Sequence, residues 1–282
     1  MQVEQGLIDW ELLAELNAMP PALSQAGMWD AFASRYDGYS RLQAFHTQAQ
    51  IAAMQLQPEE SLLDIGSGAG RISIPASRLA KRVTALDTSR GMLDVLARNA
   101  CVAGADNIDT RHLPWEEVVP GENLAMHDVV VASRTPAMRD LHKLNALARR
   151  AVYVMSFCGP SLKQFHDRLV EGIEPAPPPT GRRREAMPGH ALLFNRAVAM
   201  GWEARVDYLE DGFRKHYRDE DEAVSDFAWL GLPAGSEERF RQNLRPFLKL
   251  DMESGGKSVL LYVRTRTSVV WWPKQAPVID LI

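Results

Sequence analysis

The sequence predicts an α/β protein with a doubly wound, mostly parallel sheet. Short apolar runs alternate with amphipathic segments from residue 61 to residue 157, a pattern typical of parallel strands connected by helices. A glycine-rich turn, "GSGAG" at 66–70, follows the first apolar run directly, and Asp87 ends the second run. Glycine at alternate positions is costly inside a helix or strand, so these glycines indicate a tight turn or a close approach to bare backbone.

The N-terminal segment predicts two helices and an intervening turn-rich stretch. Residues 7–18 carry apolar side chains at helical spacing before Pro20, and residues 41–56 form the second predicted helix. The aromatic segment 27–40 lies between them.

The central segment alternates strands and helices strictly. Each strand is short and apolar, and each helix is amphipathic. The predicted strands are 61–65, 82–87, 107–113, 127–133 and 151–157, and the predicted helices are 71–80, 89–104 and 138–149.

The C-terminal part is less regular. Residues 171–189 are rich in proline and are not expected to hold regular structure. Further helices are predicted at 190–201, 219–232 and 236–250, and further strands at 202–210 and 258–267, before an extended apolar tail at 268–282.

The amino-acid composition and net charge disfavour several kinds of partner and of cellular location. The 282-residue chain has a formal net charge of −4, which disfavours nucleic acid and anionic membranes as bulk partners. Its two cysteines, Cys101 and Cys158, are far apart in sequence, which favours a reducing cytoplasm over a disulfide framework. We expect no signal peptide, no membrane span and no metal site. The apolar N-terminal helix and tail permit a homodimer.

The glycine turn and Asp87 together predict a nucleoside site. Backbone amides at a helix N-terminus can face a ligand, and a carboxylate ending the second strand can accept both ribose hydroxyls. The spacing Gly66-x-Gly68-x-Gly70 differs from the Gly-x-Gly-x-x-Gly of dehydrogenases. Asp64, just before the turn, would repel a pyrophosphate but would favour a cationic ligand. S-adenosylmethionine is such a ligand, with an ammonium, a sulfonium and no phosphate.

The segments "LLDIGSGAGRISIP" and "VTALDTSRGML" resemble the first two motifs of the class I S-adenosylmethionine-dependent methyltransferases. The resemblance covers residues 27–165 well, and "TRHLPWEEV" and "HDVVVASRT" match the adenine loop and the fourth strand. It implies a Rossmann-like fold with seven strands, the last antiparallel. It also implies a methyltransferase that uses S-adenosylmethionine.

The resemblance assigns site residues one by one. Gly66, Gly68 and Gly70 would line the methionine and ribose, with Ser67 as a further cofactor contact. Asp64 would hold the ammonium through water or the glycine amides, and Asp87 would bind the ribose. The remaining expected cofactor contacts are Thr88, Met92, Arg111, His112, Leu113 and Ser133, and the adenine amine would meet either Asp109 or His112.

The N-terminal segment "MWDAFASRYDGYS" resembles the cap of small-molecule methyltransferases. Tyr36 is the first choice to close over the methionine end, followed by Tyr39 and Trp29, because aromatic faces attract a sulfonium. Methyl transfer depends more on aligning the acceptor with the methyl group and on excluding water than on acid–base chemistry. The candidate catalytic residues are Arg134, His216 and Tyr217, with an ion pair as the alternative role for Arg134 and a solvated face for the other two.

The predicted organisation has a core covered by insertions. Residues 1–57 are a helical cover, 58–165 the cofactor-binding core, 166–190 a Pro-rich insertion, 191–267 the rest of the core with a helical lid at 210–256, and 268–282 the tail. Such a lid would lie over the carboxyl ends of the strands.

We expect a cytoplasmic enzyme that methylates a small molecule. The sequence leaves open an RNA or protein methyltransferase, for which only Arg182–Arg184 offer positive charge. It also leaves open a cofactor-binding module without turnover. A nicotinamide oxidoreductase is disfavoured by the glycine spacing.

Overall fold

The computed structural model describes residues 8–10, 12–13, 26–174, 189–252 and 255–274. A mixed sheet of eight strands forms the centre of these residues. The strands alternate with helices through most of the chain. In chain order they are β1 (Ser61–Ile65), β2 (Arg82–Asp87), β3 (Ile108–His112), β4 (His127–Ser133), β5 (Ala148–Phe157), β6 (Arg205–Tyr217), β7 (Leu248–Leu250) and β8 (Val259–Pro273).

The strand order is β3-β2-β1-β4-β5-β8-β6, with β7 paired to β8. Strands β1 to β5 are parallel, whereas β8 lies antiparallel between β5 and β6. The order reverses beside β1, which pairs with β2 on one side and β4 on the other. A crevice forms outside the carboxyl ends of the strands at such a switch point. The predicted Rossmann-like sheet is confirmed, with β7 as an additional short strand.

The described helices cover both faces of this sheet and its carboxyl edge. In chain order they are α1 (Ala26–Leu42), α2 (Ala44–Ala53), α3 (Ser73–Ala76), α4 (Arg90–Ala103), α5 (Leu141–Leu147), α6 (Leu162–Leu169), α7 (Gly189–Ala199), α8 (Glu220–Asp226) and α9 (Glu237–Leu244). Helix α4 begins at its N-cap Ser89, which accepts a hydrogen bond from Met92, and ends at left-handed Gly104. None of the described helices has the length and apolar character required to cross a membrane.

Two apolar clusters sandwich the sheet. One joins Leu63 and Val130 to Leu144 of α5 and Leu193 of α7. The other joins Leu62 and Val131 to Ile51 of α2 and Ile72 near α3. Because β1 is buried along its whole length, its carboxyl end is held rigidly where the glycine turn begins.

A third apolar cluster, which we term the lid, packs α1, α6, α8 and α9 against β6 and β8. It packs Tyr39 of α1, Phe165 of α6, Phe213 of β6 and Phe240 of α9 together. The predicted lid at 210–256 therefore begins too early, because β6 continues as a strand through Tyr217. The length of β6 reflects its pairing with β8 from Arg205 to Tyr217.

Further elements differ from the sequence predictions. Segment 27–40 is helical, since Asp30 and Asp37 bind helix α4 rather than forming turns. The predicted helix 71–80 is regular only from Ser73 to Ala76, because Pro75 has no amide hydrogen to continue the ladder. Strand β8 extends to Pro273 into the predicted tail, because β5 pairs with it. The predicted helix 7–18 and residues 182–184 fall largely or wholly outside the described residues.

Candidate functional site

A cleft opens at the carboxyl ends of β1, β2 and β4. About 160 Å³ of this cleft is open to the centre of a water molecule. Its walls come from the glycine turn, the strand ends and helix α1. The lining residues are Trp29, Tyr36, Ile65, Gly66, Gly68, Leu86, Asp87, Thr88, Met92, Leu113, Trp115, Glu116, Arg134, Thr135, Pro136 and Ala137.

The glycine turn forms the floor of the cleft. Gly66 has φ +68°, and a Cβ there would lie 2.5 Å from Oγ1 of Thr135. Gly68 has φ +54° and faces the ring of Tyr36, which a Cβ at this position would approach to 3.1 Å. Both positions therefore need glycine for its conformation and for the close approach of a neighbour. Gly70 packs against Ile74 and not against the cleft.

Asp87 joins the end of β2 to the glycine turn. Its Oδ2 accepts a hydrogen bond from the Gly68 amide at 2.8 Å, and its Oδ1 accepts one from the Ser89 amide at 2.8 Å. Burial raises the pKa of Asp87, and the two amides oppose that rise. The carboxylate is therefore fixed at the cleft wall, with lone pairs left for a ligand.

Asp64 of β1 and Ser67 of the glycine turn are both buried and do not line the cleft. Oδ2 of Asp64 accepts a hydrogen bond from the Ser73 hydroxyl at 2.6 Å, while Oδ1 is buried without a partner. Burial raises the pKa of Asp64 to about 6, against the opposing effect of Ser73. Asp64 is 1% exposed and does not line the cleft, so its role at the ammonium through water or the glycine amides stays a prediction.

Helix α1 caps the cleft. Trp29 and Tyr36 stand two turns apart on one helix face and meet edge to face, with ring centroids 6.1 Å apart. Asp30 fastens the helix by accepting hydrogen bonds from the Gly91 amide at 2.8 Å and the Ser89 hydroxyl at 2.5 Å. Tyr39 instead belongs to the lid, where its hydroxyl lies 2.7 Å from Nδ1 of His166.

The outer end of the cleft has a largely apolar wall. Thr88, Met92 and Leu113 line it as predicted, joined by Trp115 and Glu116. Arg111 and His112 do not line the cleft. Arg111 pairs with Asp109 on the exposed side of β3, and Nε2 of His112 lies 3.0 Å from the Thr88 carbonyl oxygen. Trp115 and Glu116 follow β3 directly in the predicted adenine loop, so that segment could have identified them.

Arg134 forms the inner end of the cleft. It follows β4 with φ +59°, an unusual conformation for a residue with a side chain. Its guanidinium is ion-paired to Asp211, donates to Gln43 Oε1 at 3.0 Å and lies 3.6 Å from the Phe157 ring centroid. The predicted alternative, an ion pair, is thus confirmed, and the same side chain also faces the cleft.

Behind Arg134 lies a group of buried polar side chains, which we term the inner polar cluster. Arg71 donates to Gln50 Oε1 and to the Ser133 hydroxyl, both at 2.7 Å, so Ser133 serves this cluster and not the cleft wall. Its members come from α2 and the N-cap of that helix, the residue after the glycine turn, the end of β4, and the middle of β6 and β8. They are Gln43, His46, Thr47, Gln50, Arg71, Ser133, Arg134, Asp211 and Thr267.

His216 and Tyr217 are the last two residues of β6 and do not line the cleft. Nδ1 of His216 lies 3.0 Å from Asp251 Oδ2, and the Tyr217 hydroxyl donates to Asp226 at 2.8 Å. These contacts account for both side chains structurally. The expectation that they are catalytic candidates finds no support in their placement.

Known proteins match this chain in sequence and in fold. Residues 62–156 match the family described as "Methyltransferase domain". An uncharacterised protein of Haemophilus influenzae is 30% identical over 233 residues, covering 80% of this chain and 81% of that protein. A demethylmenaquinone methyltransferase of Thermobifida fusca is 33% identical over 114 residues, covering 37% of this chain and 48% of that protein. The chain belongs to the class I S-adenosylmethionine-dependent methyltransferases.

The fold of this methyltransferase also resembles a solved structure. The YcgJ protein of Bacillus subtilis superposes with a TM-score of 0.50 at 14% identity, covering 83% of this chain and 99% of that chain. That likeness agrees with the strand order described above.

The methyltransferase uses S-adenosylmethionine, and the cleft fits this cofactor. The residues that would hold a nucleoside with an amino-acid tail are Gly66 and Gly68 through their backbone, Asp87 through its fixed carboxylate, and Met92 and Leu113 through their apolar side chains. Among the described residues, no group of three or more His, Cys, Asp or Glu side chains could hold a metal ion.

Proposed function

We propose that this enzyme transfers the methyl group of S-adenosylmethionine to a small-molecule acceptor that enters at the inner end of the cleft. The observation that carries this proposal is the cover over that end. Helix α1 lies across the cleft, fastened to α4 through Asp30 and Asp37, and its Tyr39 is buried in the lid. An acceptor that fits under such a cover is small, because a folded macromolecule cannot pass beneath it.

The proposed cofactor position follows the cleft from end to end. Gly66 and Gly68 lie beside the methionine and ribose, and Asp87 accepts hydrogen bonds from the ribose hydroxyls. Met92, Leu113 and Trp115 enclose the adenine, and Tyr36 covers the sulfonium end. The opposite sign of the ring face and the sulfonium favours that last contact.

The chain's own residues would act mainly by alignment. The bound cofactor supplies an activated methyl group, so the protein needs to place the acceptor in line and exclude water. Trp29 and Tyr36 shield the cleft from solvent, while Arg134 presents a fixed guanidinium at its inner end. These groups remain in place because Asp30, Asp211 and Phe157 hold them.

The net charge of the chain and the names of two of its relatives also support a small acceptor. The net charge of −4 gives no general attraction to RNA. Two matching relatives are named as demethylmenaquinone methyltransferases, one from Thermobifida fusca and one from Streptomyces avermitilis that is 24% identical over 216 residues. Both names describe an acceptor of low molecular mass.

The test follows the transferred label. The protein is incubated with methyl-labelled S-adenosylmethionine and a cell extract separated into a low-mass fraction, an RNA fraction and a protein fraction. We expect S-adenosylhomocysteine to form and the label to enter the low-mass fraction. Label in RNA or protein instead would overturn the small-molecule proposal, and cofactor binding without label in any fraction would indicate a binding module. An Asp87→Ala variant controls for transfer that does not use the cleft.

A further inference from the structure

The inner polar cluster contains buried donors and positive charge that its own contacts do not satisfy. Nε of Arg134 and Nε2 of Gln43 are buried without a hydrogen-bond partner. Buried polar atoms in native proteins are normally paired, so unpaired ones at the end of a cleft indicate a ligand position. The two side chains are hydrogen-bonded to each other, because Oε1 of Gln43 accepts from Nη1 of Arg134 at 3.0 Å.

Within the cluster two guanidiniums share one carboxylate, and the Asp64 carboxylate interacts with Arg71 from outside it. Arg71 and Arg134 are two buried guanidiniums, and Asp211 is the carboxylate that pairs with Arg134. Arg71 donates to three uncharged oxygens, which belong to Thr47, Gln50 and Ser133. Burial lowers the pKa of His46, so this neighbouring imidazole is neutral near pH 7 and adds no charge. The unpaired donors of Arg134 and Gln43, rather than a net charge, therefore indicate where an anion would bind.

The Arg134 side chain leads away from the glycine turn. Its partners are Gln43 at the start of α2, Asp211 in β6, Thr267 in β8 and Phe157 at the end of β5. None of these belongs to the cofactor motifs at 62–75 or 82–92. The guanidinium therefore faces the acceptor side of the proposed methyl-transfer site.

We propose that the methyl acceptor carries an anionic oxygen group, a carboxylate or a phosphate ester, which binds Nε–H of Arg134 and the amide NH₂ of Gln43. This inference rests on the proposed function and specifies its substrate class. Phe157, Tyr36 and Trp29 provide aromatic walls nearby, so an acceptor with an aromatic or other flat body fits beside the anionic group.

The test measures binding to protein saturated with S-adenosylhomocysteine. Three probes of similar size are titrated by calorimetry: benzoate, phenyl phosphate and the neutral benzamide. We expect at least one anion to bind tenfold or more tightly than benzamide. The two anions distinguish a carboxylate from a phosphate ester. Equal affinity for all three, or binding of none, would overturn the proposal.

Variants of Arg134, Asp211 and Gln43 test whether the preference for an anion depends on Arg134 and Gln43. Removing Arg134 alone would leave Asp211 buried without a cation, so the double variant Arg134→Gln/Asp211→Asn removes both charges together. We expect it to lose the preference for the anion, and Gln43→Leu to weaken it. Asp211→Asn alone keeps the guanidinium and should retain or increase the preference. An unchanged preference in the double variant contradicts the proposal.

The titration also distinguishes a failure of this inference from a failure of the proposed function on which it rests. If Arg134 holds the carboxylate of the cofactor instead, the double variant will lose affinity for S-adenosylhomocysteine and wild-type protein will show no anion preference. If the acceptor is a macromolecule, the label experiment will show it independently of the probes.

Discussion

The amide nitrogen of Gly68 lies 2.8 Å from Oδ2 of Asp87, so the two cofactor motifs of this enzyme are joined directly. The bond crosses from the glycine turn after β1 to the end of β2. Since the Ser89 amide binds the other carboxylate oxygen at 2.8 Å, Asp87 is positioned before any ligand arrives.

Replacing Asp87 should weaken cofactor binding. Asp87→Ala removes the proposed charge-assisted hydrogen bonds to ribose, and we expect the binding free energy to fall by about 1–3 kcal/mol. Calorimetry with S-adenosylhomocysteine measures this. Asp94→Ala is the matched control, because Asp94 pairs with Arg90 on the exposed surface of α4. Unchanged affinity in a folded Asp87→Ala protein would refute the assignment.

A methyl group at Gly66 should disturb the cleft. Gly66→Ala brings a Cβ to 2.5 Å from Thr135 Oγ1 at φ +68°, so Thr135 must move. We expect cofactor affinity to fall about tenfold or more, on the scale of an overpacked site.

Gly104→Ala separates this clash from backbone strain. Gly104 has φ +64° but open space around its Cβ position, so the variant should lose about 1–2 kcal/mol of stability and keep its cofactor affinity. Thermal unfolding and calorimetry on both variants make the comparison. Equal cofactor affinity in the two would contradict the steric role of Gly66.

Asp64 should make the fold less stable as pH rises. Burial raises its pKa from 3.8 to about 6, so between these values the folded chain holds a proton that the unfolded chain has released. Unfolding then releases a proton, and the free energy of unfolding falls as pH rises through this window, with the full loss present above about pH 6.

Asp64→Asn should remove this loss. We expect the variant to gain about 2–3 kcal/mol relative to wild type between about pH 4 and pH 7, measured by urea unfolding at several pH values. Asp94→Asn, at an exposed position, should leave the profile unchanged. Parallel profiles for wild type and Asp64→Asn would show that Asp64 titrates normally.

His216 and Tyr217 should be dispensable for methyl transfer. Tyr217→Phe removes a hydrogen bond to Asp226, which keeps Lys215 as a partner at 2.7 Å, so we expect about 1 kcal/mol less stability. His216→Ala removes a half-exposed contact to Asp251. Both variants should keep the wild-type transfer rate with the acceptor found in the label experiment. A tenfold loss of rate at unchanged cofactor affinity would restore them as catalytic candidates.

The sheet and one wall of the site are encoded locally in the sequence. Strand–helix alternation specifies a parallel sheet with right-handed crossover connections. Such a sheet brings the residues after β1 and β2 to one edge. Gly66, Gly68, Asp87, Thr88 and Met92 were therefore predictable, because each lies within a few residues of a strand end.

The side chains that face the inner end of that cleft depend on long-range packing. Gln43, Arg71, Arg134 and Asp211 are distant in sequence and meet because β8 inserts between β5 and β6 and α2 packs over the strand ends. The same packing places His216 and Tyr217 outside the site, because the pairing of β6 with β8 continues through Tyr217. Local patterns specify strands and turns, whereas contacts of this kind depend on how the whole chain closes around its core.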